Sequence, residues 1–165
     1  MKALGIDPGT ATTGFGILES DGDRVKVVDY GCIKTSSKLS SNVRLQQIYS
    51  NMKKIISKFK PESIAVEKLF FGVNTKTAMA VGQARGVILL AASQANVRIA
   101  EYTPLEVKMA LTGYGRADKH QMQQMVKRLL KLDVIPKPDD AADALAIALC
   151  HLNSDGFNSK AEKAS

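Results

Sequence analysis

The sequence predicts an α/β domain on a five-stranded mixed sheet, three antiparallel strands followed by two parallel ones, flanked by helices. Three observations carry this. Two short apolar runs, residues 2–7 (KALGID) and 63–67 (SIAVE), each end in an acid and read as buried strands. Asp21-Gly22-Asp23 is a hairpin signal between two further strand-like runs, residues 14–18 and 24–33. Beyond them, apolar residues recur at three- and four-residue steps from 42 to 59, the period of an amphipathic helix.

The first strand stops at Asp7 because Pro8 denies a backbone donor to any neighbour. Asp7 therefore sits where a central strand meets solvent, with Gly9 freeing the backbone beside it. Such an acid can hold a cation, or it can begin an Asp-Pro-Gly turn, and this stretch alone leaves both readings open. In the helix over 42–59, Leu45, Ile48, Tyr49, Met52, Ile55, Ile56 and Phe59 share the inner face, and Pro61 ends it. The fourth strand terminates in Glu67.

Residues 78–95 form a largely apolar helix and 97–102 the fifth strand. Within that helix Gly82 and Gly86 each cost ~1 kcal/mol relative to Ala, so a close neighbour is expected, either the protein's own sheet or a second subunit. Thr103-Pro104-Leu105-Glu106 is a capping box with Pro at the first helical position; Lys108 rides on that helix and Gly113 stops it. Asp118 begins the next, with Met122, Met125, Val126, Leu129 and Leu130 on one face. Lys119 stands in its first turn, the wrong end of the macrodipole for a cation, and reads either as a mobile surface lysine or as a charge placed for use. After Pro136 and Pro138, residues 139–143 (DDAAD) open a last helix that is apolar through Cys150. The domain spans 1–152, and the polar tail 153–165 is expected to be disordered.

At 165 residues and 45% hydrophobic composition, the chain suits one core that buries roughly 70% of the unfolded surface. It shows neither a signal peptide nor the ~20-residue apolar run of a membrane span, which predicts a cytoplasmic protein without a membrane partner. Cys32 and Cys150 lack metal-ligand spacing and are expected as free thiols. The net charge of +7 is uneven, with seven Lys or Arg and no acid from Lys34 to Lys60. That excess favours a polyanionic partner, although a charge run is also what a solvated face looks like. With two histidines in the chain, histidine-based catalysis is poorly supplied.

Acids at a helix start are ordinarily caps, and Asp139 is explained that way. Asp143 is not: it shares a face with Asp140 and Ile147 on a helix apolar nearly all round, so it should point inward. The arrangement that fits is a cluster of Asp7, Glu67, Asp140 and Asp143, the helix packed across the edge where the two acid-ended strands lie. Four facing carboxylates repel unless divalent cations lie among them, and oxygen-only ligation suits Mg²⁺ or Mn²⁺ rather than zinc. Two metals ~3.5 to 4 Å apart in such a cluster would serve phosphodiester hydrolysis, one activating water and the other the leaving oxygen. His151, eight residues past Asp143 and so ~12 Å along a helix, is too far to join them.

LGIDPGT with GFG after it, VEKLFF, VGQARGV, VK before GYGRADK, and DDAADALAIA resemble, in order and over nearly the whole chain, the RuvC family of bacterial Holliday junction resolvases. The resemblance implies a ribonuclease H-like fold, a homodimer, Mg²⁺ as cofactor, and paired nicks in opposed strands of a four-way DNA junction. It makes Asp7, Glu67, Asp140 and Asp143 the metal-binding catalytic acids. It implies that Lys108 and Lys119 contact the scissile strand, and that Phe70 and Phe71 press into the unstacked crossover, where adjacent phenylalanines could otherwise be core. It adds the branch-migration proteins RuvA and RuvB as partners. The dimer seam would be the face carrying Met79, Gly82, Gly86 and Leu90. Two other classes compete. A phosphotransferase of the actin and sugar-kinase type needs two such domains around a nucleotide, and the chain provides one. A junction-binding module without catalysis would leave all four acids structural.

Overall fold

The computed structural model describes residues 1–22, 24–68 and 75–162. Strands β1 (Lys2–Asp7), β2 (Thr12–Ser20) and β3 (Val25–Lys34) run antiparallel in succession. Helix α1 (Ser41–Phe59) carries the chain across to β4 (Ser63–Glu67), which lies parallel to β1. Helix α2 (Thr75–Gln94) leads to β5 (Arg98–Tyr102), parallel to β4, and the sheet order is β3-β2-β1-β4-β5. Helices α3 (Pro104–Thr112), α4 (Lys119–Leu129) and α5 (Asp139–Glu162) complete the chain. The five-stranded mixed sheet is the one the sequence predicts.

Alternation along the strands sorts the core into two layers, because successive side chains point to opposite faces. Leu4, Ile6, Ile17, Ile64 and Val66 meet Ile48, Met52 and Ile56 of α1 and Ala84 and Ile88 of α2. Ala3, Leu18 and Ala65 face the other way, onto Val107 and Leu111 of α3, Met122 and Val126 of α4, and Leu145 to Cys150 of α5. All seven apolar positions read for α1 lie in the first layer.

The caps are largely where the sequence puts them. Thr103 accepts from the Glu106 amide at 3.2 Å while its own N–H donates to the Glu106 carboxylate at 2.6 Å, and Gly113 closes α3 at φ 68°. Asp118 and Gln121 form a second reciprocal box at the start of α4. The end of α5 differs from expectation: the helix runs on to Glu162, so residues 153–162 are helical rather than a disordered tail. Asp155 pairs with Arg98 of β5, and Ser154 donates to the Cys150 carbonyl at 2.9 Å, which ties the first polar turn down. Residues 163–165 lie outside the described residues.

Candidate active site

Asp7 and Glu67 end the two central parallel strands one step beyond the Ile6–Val66 pair. Counting by two from Ala3 and Ala65, both acids project to the α5 side of the sheet. Helix α5 lies over β1 and β2, on the face of the sheet rather than at an edge, and its first turns bring Asp140 and Asp143 to the same end.

Glycines on that face make the approach possible. A Cβ at Gly5 would stand 2.1 Å from the Ala144 carbonyl oxygen, one at Gly14 2.0 Å from the Asp140 carbonyl oxygen, and one at Gly16 2.8 Å from the Leu145 side chain. Gly14 is also the cross-strand partner of Asp7, so the backbone of Asp140 rests on the residue beside Asp7. In the sequence these three glycines read as strand members. Their signal was the spacing, since glycine inside a strand marks a close backbone approach.

Electrostatics bind the acids into one group. Burial, then the charges of Glu67, Asp143 and Asp140, push the Asp7 carboxyl from its ordinary 3.8 up to about 8, with Lys119 pulling the other way. Glu67 is raised by burial and by Asp143. Asp143 is raised by burial, against Lys119, which lowers it. Its side chain is 38% exposed, so it opens onto a cleft instead of pointing fully inward. That cleft, of about 220 Å³, is lined by Glu67 and Asp143 together with Lys108 and Lys119.

Lys119 is paired with two acids in this arrangement. Its ammonium stands 3.2 Å from Asp139 Oδ2 and 3.6 Å from Asp143 Oδ2, and Asp139 is held in turn by Lys137 at 2.7 Å. Lys137 and then Lys119 hold the Asp139 carboxyl down at about 2. Asp139 is thus more than the helix cap the sequence suggested; the adjacent Lys137, two residues earlier, was the available clue. Half-buried Cys32 and buried Cys150 are free thiols. His151 is buried between Tyr102 Oη and Ser63 Oγ, 2.8 Å from each, and takes no part in the acidic group. Phe70 and Phe71 lie outside the described residues.

On α2 the inner face is Ala84, Ile88, Ala91 and Ala92, while Met79 and Leu90 are 72% and 50% exposed. A Cβ on Gly86 would meet nothing within 4 Å. Gly86 therefore does not serve packing against the protein's own sheet.

The donors at the acidic end are all carboxylate oxygens, the set that suits a hard dication. Among the described residues, no three such groups yet converge at metal-ligand distance. The acids are nevertheless close enough to raise one another, and an ammonium lies against Asp143. The all-oxygen donor set fits a hard divalent ion in its chemistry.

Comparison with known proteins agrees with this geometry. The family model described as "Crossover junction endodeoxyribonuclease RuvC" matches residues 3–151. A protein of that name from Halothermothrix orenii is 59% identical over 160 residues, covering 97% of each chain. Another from Caldicellulosiruptor saccharolyticus is 57% identical over 93% of each. The RuvC structure of Thermus thermophilus, 36% identical, superposes with a TM-score of 0.88 over 96% of this chain and 97% of that one. The same protein in complex with a Holliday junction substrate gives 0.91 over 96% of each. With the family model matching residues 3–151, relatives of that name 57% and 59% identical over nearly the full length, and a superposable RuvC fold, the chain belongs to the RuvC family of crossover junction endodeoxyribonucleases, nucleases of ribonuclease H-like fold.

Proposed function

We propose that this chain resolves four-way DNA junctions by nicking two opposed strands, with hydrolysis at the acidic end of its sheet. The observation that carries the reading is the approach of Asp7, Glu67, Asp140 and Asp143, from three separate elements, close enough for the last three to raise the Asp7 carboxyl, beside a cleft that Glu67 and Asp143 line with Lys108 and Lys119. RuvC-family nucleases are metal-dependent in general. We assign Mg²⁺, replaceable by Mn²⁺, as the metal, two ions being held by these four acids. When bound, such ions supply an activated water and stabilise the charge that develops on the leaving oxygen.

The residues of the chain supply the rest. Burial and the neighbouring acids raise the Asp7 carboxyl to about 8, which favours its protonated form near neutral pH, and a cation held there would favour the ionised form. Lys119 and Lys108, from α4 and α3, line the cleft with Glu67 and Asp143, and their charges would meet a scissile phosphate there. Phe70 and Phe71, just past Glu67, are assigned to the unstacked crossover on family resemblance. A nuclease site of this kind cuts one strand, whereas resolution needs two symmetric cuts, so we assign a two-fold homodimer. Exposed Met79 and Leu90, with Gly82 and open Gly86 on the same helix, support α2 as its seam. RuvA and RuvB enter as partners on the resemblance alone.

The test is a synthetic four-way junction offered to Asp7→Asn and Glu67→Gln. Both should bind it at least as tightly as wild type while cleavage falls ~100-fold or more, the loss of roughly 3 kcal/mol of transition-state stabilisation. Wild-type cleavage rates in both variants would exclude the four-acid mechanism.

A further inference from the structure

Lys119 presents a problem for the metal site. Its ammonium stands 3.6 Å from Asp143 Oδ2, so in the metal-free protein one of the four acids already has a cation. An incoming dication must displace that contact before it can use the oxygen. The displaced ammonium would be left in the field of the metal unless another anion takes it.

Asp139 is placed to do so. It lies outside the four acids, yet its Oδ2 is 3.2 Å from the Lys119 ammonium, nearer than the Asp143 oxygen. Its other oxygen is anchored by Lys137 at 2.7 Å. As the first residue of α5 it is fixed to the same helix as Asp140 and Asp143. The ammonium therefore sits between two carboxylates, one a metal ligand and one not.

We infer that Asp139 is a positioning residue that draws Lys119 off Asp143 when metal binds and keeps it at the rim of the cleft, facing the scissile phosphate. This rests on the metal reading given above. Without Asp139, Asp143 is the one carboxylate left within 4 Å of Lys119 among the described residues, and Lys119 competes with the metal for it. A contact between partly exposed charges of this kind corresponds to about a two- to fivefold change in affinity.

Calorimetric titration with Mn²⁺ in the absence of DNA tests the proposal. Asp139→Asn should weaken Mn²⁺ binding by about two- to fivefold, and Lys119→Met should tighten it. In the Lys119→Met background, Asp139→Asn should have almost no further effect. Asp139→Glu should keep wild-type affinity. If Asp139→Asn weakens binding by the same factor with and without Lys119, Asp139 is merely a nearby negative charge and the proposal fails. Absence of Mn²⁺ binding by wild type at millimolar metal would overturn the metal reading and this inference together. Binding with a Lys119-independent effect of Asp139 would overturn this inference alone.

Discussion

At the scale of residues, Asp7 makes the sharpest demand. Its carboxyl is raised from 3.8 in the unfolded chain to about 8 in the metal-free fold, so between those values the native state holds a proton that the unfolded state has lost. Stability therefore falls as pH rises through that window, by an amount on the order of a few kcal/mol for a shift of this size. Asp7→Asn should raise the chelator-treated protein's denaturation midpoint near pH 8, and the gain should shrink toward zero near pH 4. Urea titrations at the two pH values check this; a gain that grows as pH falls would contradict the repulsion. Lys119→Ala should lower the cleavage rate at saturating junction by ~10- to 100-fold, more than it lowers affinity. Single-turnover kinetics separate the two effects. The place of Asp7 and Glu67 at strand ends was legible in the sequence because each acid closes a short apolar run, while Asp7 alone could equally have begun a turn. Asp139 was not, because a helix-start acid is satisfied by its own helix and its partner Lys119 comes from another element.

At the scale of elements, α5 and its glycine bed position the chemistry. Gly5→Ala would drive a methyl group into the Ala144 carbonyl and the Ala148 amide, both backbone atoms that cannot swing aside. It should destabilise the fold by ~3 kcal/mol or more, the upper range for overpacking. Thermal melts give the value, and a cost below ~1 kcal/mol would mean that α5 does not depend on this contact. Helix and strand periodicity recovered the elements well, since α1 is amphipathic and each strand is bounded by turn residues. The course of α5 past Cys150 was missed because its continuation is polar; the Arg98–Asp155 pair holding its first turn comes from β5, a strand remote in sequence. On α2 the exposed Gly86 gives the clearest element-scale test. Leu is the better helix former and Gly86 faces open space, so Gly86→Leu should leave monomer stability unchanged or higher while weakening self-association. Sedimentation at micromolar concentration reads it, and an unchanged dimer would remove α2 from the seam.

At the scale of the whole molecule, the account joins a basic surface to an acidic centre. The chain carries +7, with the acid-free run from Lys34 to Lys60 lying largely along α1, while the acids gather at one end of the sheet. Among the described residues, no helix is long and apolar enough to cross a membrane. The α1 run lies on the opposite face of the sheet from the acids, so the cations that stand at the acidic cleft itself are Lys108 and Lys119. The strands themselves, three antiparallel and then two parallel, were readable from apolar runs and turn signals. The depth at which α5 settles was not, because it depends on backbone-to-backbone contact at Gly5 and Gly14. The most direct test of the central claim is strand-resolved cleavage of a synthetic four-way junction, each strand labelled in turn. Wild type should nick two opposed strands at symmetry-related positions, should do so when Mg²⁺ is added and stop when it is chelated, and should leave a linear duplex of the same sequence nearly intact. Equal cutting of the linear duplex, or symmetric nicking by Asp7→Asn at the wild-type rate, would contradict the account.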